Sequence, residues 1–277
     1  MAGSGPAPGG VAGSGLTLPR LIATDLDGTL VGRDQVISRR SAKVLAQAAA
    51  AGAVVVLVTG RPLRWVYQVY DELDAGYPTI CANGAVTYDP ATDTVLESRP
   101  LAPDVLAEVC TKLATSVPGM AFAAEIDDGR RMVHEPAYPV VFEGDAREVP
   151  LSEVVARPAV KLLGRAPDRD PDELAALVLT AVADRVEATH SSYGGLVEMS
   201  ARGVTKATGL ASLAGRLGIA PADVLAFGDM PNDVTMLSWV GRAVVVANAH
   251  PAAREVADAV TLSNVDDGVA DYLERLL

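Results

Sequence analysis

LIATDLDGTL (21–30) begins as an apolar run and ends in Asp25, Asp27, Gly28 and Thr29; AVVVLVTG (53–60) repeats the form and delivers Thr59, Gly60 and then Arg61. Short β-branched runs bounded by turn residues read as buried strands. Between them, SRRSAKVLAQAAAAG (38–52) reads as a helix closed by Gly52. Strands alternating with amphipathic helices predict a parallel α/β sheet with helices on both faces.

Outward from these strands, PLRWVYQVYDEL (62–73) predicts a second helix with Pro62 in its first turn, and TICANGAVTYD (79–89) a third strand reaching a turn at Asn83-Gly84. The alternation then changes. Residues 87–195 carry expected helices at 103–116 and 171–184 and expected strands near 120–125, 131–135, 159–164 and 186–192. The first pattern returns with a helix at 203–217, the strand VLAFGD (224–229), a helix at 231–239, the strand AVVVANA (243–249), a helix near 251–257 and a last strand AVTL (259–262). The expected architecture is a Rossmann-like parallel sheet core, formed by 21–86 and 196–277 and interrupted by an inserted α/β domain at 87–195. Residues 1–20, rich in Gly, Ala, Pro and Ser, are expected to form a disordered tail.

A chain of 277 residues has room for two unequal domains. Although 49% of it is apolar, no run approaches the roughly 20 residues that a bilayer requires. A formal charge of -12 argues against general affinity for nucleic acid or anionic membrane, so an anionic substrate must meet a local reversal of sign. Two cysteines without CxxC spacing and without a secretory signal point to a reducing, cytoplasmic setting.

In an open parallel sheet, ligands bind beyond the carboxyl ends of the strands. There the first strand offers Asp25 and Asp27, the second Thr59, Gly60 and Arg61, the third Asn83 and Gly84, and a fourth Asp229, Asn232 and Asp233. Where the chain turns at Gly28, two aspartates can divide the work. A carboxylate beside a divalent cation stays ionised and can act as a nucleophile, while its neighbour carries a proton. With Asp229 added, the pocket is all oxygen and strongly negative, which suits hydrated Mg²⁺. Phosphoryl transfer then needs cations and donors over the equatorial oxygens, for which Lys206 and Thr59 are candidates. Taken singly, Asp27-Gly28 is also a plain turn, Lys206 a solvated helix residue and Asp229 a helix cap. Their joint placement at strand ends favours chemistry.

The set resembles the haloacid dehalogenase superfamily of phosphatases, and within it the Cof-type members with a class IIB cap. Asp25-Leu26-Asp27-Gly28-Thr29 is similar to the first family motif, Thr59-Gly60-Arg61 to the second, Lys206 in GVTKATGL to the third, and Gly228-Asp229 with Asn232-Asp233 to the fourth. The resemblance spans 21–277 with no departure from the four motifs. It implies that Asp25 is the nucleophile, Asp27 the general acid and base, and Thr59 and Lys206 the phosphate contacts. Asp229 would share Mg²⁺ with Asp25 and the backbone carbonyl of Asp27, supported by Asn232 and Asp233. The insertion would be a cap that sets specificity. The implied activity is Mg²⁺-dependent hydrolysis of a small phosphorylated metabolite, such as a sugar phosphate, through an aspartyl-phosphate. A phosphotransferase or mutase would share every motif, and a catalytically silent binding module would keep the fold. The expected partner is a small phosphorylated metabolite, with neither nucleic acid nor membrane.

Other residues divide between function and structure. Arg61 is placed to reach substrate or to form an ion pair, and Asn83-Gly84 to approach substrate or to make a hinge turn. His134, His190 and His250 lack metal-ligand spacing and read as structural, although His190 and Glu125 fall in the insertion, where substrate would be faced. Trp65 and Trp239 read as packing residues.

Overall fold

The computed structural model describes residues 17–32, 34–140, 146–191 and 194–277; the expected tail lies outside the described residues as far as 16. In chain order the strands are β1 (Leu21–Thr24), β2 (Val54–Val58), β3 (Thr79–Cys81), β4 (Val86–Asp89) and β5 (Thr94–Ser98), then β6 (Ala121–Ile126), β7 (Arg131–His134), β8 (Ala146–Glu148), β9 (Ala159–Arg165), β10 (Val186–Thr189) and β11 (Leu196–Ala201), and finally β12 (Val224–Gly228), β13 (Arg242–Val245) and β14 (Ala259–Val260). They form an eight-stranded sheet, in the order β14-β13-β12-β1-β2-β3-β4-β5, and a six-stranded sheet, in the order β10-β11-β9-β6-β7-β8.

The first sheet is parallel from β14 to β3, and side-chain alternation along its central strands explains the two covered faces. Ile22, Val55 and Leu57 pack with Val44, Leu45 and Leu273 from the helices Arg39–Ala50 and Gly268–Glu274. Leu21, Ala23, Val56 and Val58 point the other way, onto Leu210, Leu213, Met236 and Leu237 of Lys206–Arg216 and Val234–Trp239. The first of these helices starts where the Ser38 hydroxyl accepts from the Ser41 amide at 3.0 Å, and the helix carrying Lys206 starts at a Thr205/Thr208 capping box.

The second sheet is antiparallel except for β7 with β8. One of its faces packs on the helices Pro103–Ser116 and Pro171–Val182 through Leu106, Leu113, Leu174 and Val178. The exchange between sheets differs from the expected 87 and 196. Strands β4 and β5 stay in the first sheet, because Asn83 adopts φ 55° and folds the expected single strand 79–89 into an antiparallel pair. Strand β11 belongs to the second sheet, between β10 and β9. The chain therefore leaves the first sheet after Ser98 and returns after Ala201.

Candidate active site

Adjacent parallel strands β1 and β12 end side by side, and the Asp25 amide donates to the Phe227 carbonyl at 3.0 Å. This brings two segments 200 residues apart into contact: the Thr29 hydroxyl donates to Asp229 Oδ1 at 2.8 Å. Asp25, Asp229 and Asp233 each offer an oxygen within 4.8 Å of the others, and all three are buried. Gly28 makes room for this packing. It sits at φ +83°, and a Cβ there would lie 3.1 Å from Asp229 Cγ.

One lysine ties the cluster together. Lys206 Nζ, wholly buried, donates to Asp25 Oδ1 at 2.5 Å and to Asp233 Oδ1 at 2.6 Å. The other oxygen of Asp233 accepts from the amides of Asp229 and Met230 at 2.9 and 3.0 Å. Both Asp233 oxygens are thus engaged in holding the loop, whereas Asp25 Oδ2 and Asp229 Oδ2 accept no hydrogen bond among the described residues. Three carboxylates face one ammonium, and the electrostatics show the deficit. Burial drives the Asp25 carboxyl well above its ordinary range, with Lys206 opposing and Asp233 and Asp229 reinforcing the rise. Burial, then Asp233, pushes Asp229 up to about 7. Burial alone would lower Lys206; Asp233 and Asp25 raise it instead. A hard divalent cation fits this all-oxygen donor set, with Asp25 and Asp229 to hold it, and would supply the missing charge.

Asp27 points elsewhere. Its carboxylate is 44% exposed and forms a two-point ion pair with Arg61, Nε to Oδ2 at 2.9 Å and the terminal nitrogen to Oδ1 at 2.6 Å. Of the two uses open to Arg61, the structure displays the ion pair. Thr59 is buried at the end of β2, and its hydroxyl accepts from the Arg61 amide at 3.0 Å. Asn232 Nδ2 donates to Asn83 Oδ1 at 3.1 Å, and Asn83 donates to Glu198 Oε2 at 3.3 Å. Gly84 presses on the start of the Lys206 helix, where an added Cβ would overlap the Thr205 carbonyl.

Beyond the cluster a cavity of about 880 Å³, including part of its open mouth, lies between the two sheets. Asp25, Asp27, Gly60, Arg61 and Asn232 line it from the first sheet, and Glu125, Lys161 and Glu198 from the second. Two charged side chains at the cavity, Lys161 and Arg64, reach across the gap. Lys161 donates to the Gly60 carbonyl and to Glu198, and Arg64 pairs with Glu125 and donates to the Gly129 carbonyl at 3.3 Å. Burial raises Glu125 despite Arg64, whereas the Lys161 charge holds Glu198 below its ordinary value in spite of burial.

Sequence reasoning placed Thr29 in the first motif without a role of its own, and it missed Arg64, Lys161 and Glu198. Its available signal was a lone charge inside an apolar strand, as in AVKLLG (159–164) and LVEMSA (196–201). Trp65, expected to pack, is 38% exposed and lines the cavity. His190 is buried and bonds Asp172 at 2.8 Å, and His250 caps the helix Pro251–Glu255. His134 bonds the Glu135 carbonyl at 3.0 Å.

Comparison with known proteins gives a consistent result. The family described as haloacid dehalogenase-like hydrolase matches residues 22–273. The chain is 28% identical over 268 residues to the Bacillus subtilis 5-amino-6-(5-phospho-D-ribitylamino)uracil phosphatase YitU, covering 94% of this chain and 98% of that protein. It is 30% identical over 287 residues to the phosphatase YwpJ of the same organism, covering 93% and 100%. The crystal structure of TM0651 from Thermotoga maritima superimposes with a TM-score of 0.75 at 28% identity, over 94% of this chain and 98% of that one.

Proposed function

The chain belongs to the haloacid dehalogenase-like hydrolases and is a phosphoric monoester hydrolase, and from that premise we propose that it cleaves small phosphorylated metabolites with Mg²⁺ through an aspartyl-phosphate on Asp25. The observation that carries this reading is the cluster itself. Asp25 stands at the cavity floor beside Asp229, with Lys206 Nζ 2.5 Å from its carboxylate.

Mg²⁺ held by Asp25 and Asp229 would supply positive charge to the phosphoryl oxygens. Asp25 attacks phosphorus as the ester P–O bond breaks, and Asp27, at the cavity wall two residues on, enters this step protonated and released from Arg61 and gives that proton to the leaving oxygen. Water deprotonated by Asp27 then attacks the aspartyl-phosphate, frees phosphate and restores Asp25. Lys206 restrains the Asp25 carboxylate for this approach, and Asp233 restrains Lys206 and the Asp229 loop. Thr59 and Gly60 shape the phosphoryl wall at the end of β2. Arg61 fixes the Asp27 carboxylate at the mouth.

The second sheet acts as a cap, formed from the chain between Ser98 and Ala201, and its Lys161 and Glu125, bonded to the Gly60 carbonyl and to Arg64, hold it over the cavity so that water is excluded while the first transfer proceeds. Two buried free cysteines suit a cytoplasmic setting. Among the described residues no helix is long and apolar enough to cross a membrane. The test is phosphate release from a panel of phosphorylated metabolites, with and without Mg²⁺, with Asp25→Asn beside the native enzyme. Mg²⁺-dependent release that disappears in the variant supports the reading. Normal release by Asp25→Asn, with the fold intact, overturns the nucleophile assignment.

A further inference from the structure

The face of the cap sheet that looks into the cavity is graded along its strands. On β9, Lys161, Leu163 and Arg165 line the cavity, while the intervening Val160 and Leu162 belong to buried clusters and Gly164 backs onto Met120 and Met199. Lys161 marks the catalytic end, because it bonds the Gly60 carbonyl. Four residues further along an extended strand, Arg165 lies about 13 Å farther from the catalytic loops. Between them the surface is apolar and recessed: Ala121, Ala123, Met132, Tyr138 and Leu163 form one cluster.

The charges along this strip are unequally matched. Arg61 is paired with Asp27, Arg64 with Glu125, and Lys161 with Glu198. Arg165 has no carboxylate partner among the described residues. Its guanidinium lies 5.9 Å from the Tyr138 ring and shares a side-chain hydrogen bond with that residue, and its buried Nε has no hydrogen-bond acceptor among the described residues. A guanidinium held against apolar walls without a counter-charge is costly, and it is relieved by a planar anion that accepts two of its N–H groups.

We propose that Arg165 determines substrate class: the enzyme takes elongated phosphomonoesters whose leaving group has an apolar middle and ends in a second anionic group, a carboxylate or a phosphate. The inference rests on the phosphatase reading above. In that pose the phosphoryl group meets Asp25, the apolar middle covers Leu163 and Met132, and the distal anion replaces solvent at Arg165. Small polyhydroxylated phosphates reach neither the apolar strip nor the guanidinium.

The test uses ω-carboxyalkyl phosphates of graded chain length, the matching alkyl phosphates without the carboxylate, and p-nitrophenyl phosphate as a short reference ester. It is run on the full chain as native, Arg165→Met and Arg165→Lys. A charge-assisted bond predicts that the carboxylate ester of best length exceeds its uncharged match in kcat/KM by about tenfold or more, chiefly through KM. Arg165→Met should bring that ratio to within about threefold of unity, and Arg165→Lys should retain part of it. Turnover of p-nitrophenyl phosphate with no preference for the carboxylate at any length overturns the assignment. So does a preference that survives Arg165→Met. If the native enzyme releases phosphate from none of the esters, the phosphatase reading fails, and this inference fails with it.

Discussion

Gly28→Ala and Gly52→Ala form a matched pair that isolates the placement of Asp229. Both glycines sit at positive φ, +83° and +98°, so an alanine at either costs about 1–3 kcal/mol of backbone strain. Their surroundings differ. At Gly52 nothing lies within 4 Å of the added Cβ, whereas at Gly28 the methyl would sit 3.1 Å from Asp229 Cγ and closer still to one carboxylate oxygen. Ordinary contact at about 3.5–4 Å requires the carboxylate to withdraw by roughly 1 Å. A misplacement of that size in a catalytic group costs about 10²-fold in rate, equivalent to about 2.7 kcal/mol of transition-state stabilisation. Urea unfolding should therefore show similar losses for the two variants. Phosphate release at saturating Mg²⁺ should be near native for Gly52→Ala and about a hundredfold lower for Gly28→Ala. Variants that agree within about threefold in kcat/KM would refute the argument that Gly28 serves the Asp229 carboxylate.

Three further outcomes are expected. Lys161→Met leaves the buried Glu198 carboxylate unpaired and should cost about 3–5 kcal/mol in urea unfolding, part of it recovered by adding Glu198→Gln; strictly additive effects would dissolve the pair. The same pair sets a pH dependence. The Lys161 charge holds Glu198 below its ordinary 4.5, so its stabilisation is complete above 4.5 and is lost as pH falls through the lower folded value. The thermal advantage of the native protein over Lys161→Met/Glu198→Gln should shrink on acidification below that value, and an advantage that grows would contradict the assignment. Asp229→Asn should raise the Mg²⁺ concentration needed for half-maximal phosphate release by more than tenfold. An unchanged requirement would place the ion elsewhere.

What the sequence made legible follows from locality. The strand ends carrying Asp25, Thr59 and Asp229 stand beside sharp changes of pattern at Gly28, Gly60 and Pro231, so the polar clusters can be read without coordinates. The cap boundaries could not be read this way. Whether 86–98 pairs with β3 depends on the left-handed turn at Asn83, and whether 196–201 joins β9 depends on a partner some thirty residues earlier. The pairing of Asp27 with Arg61, and of Lys161 with Glu198, is likewise a product of tertiary approach. In sequence these are isolated charges whose partners lie 34 and 37 residues away.

The pairing of Leu21 with Val224 also orders events during synthesis. Every strand pairing of the cap sheet falls between Ala121 and Ala201, so this sheet can close on a growing chain as soon as β11 has emerged. The first sheet closes in two stages, because β1 to β5 can pair before the cap sheet emerges, whereas β12 to β14 can join only after it. The other edge of β1, with Asp25 at its end, stays unpaired until β12 arrives carrying Asp229. A chain truncated before residue 224 would thus carry every strand of the cap sheet yet lack Asp229 and Asp233, and it is expected to release no phosphate however well its cap folds.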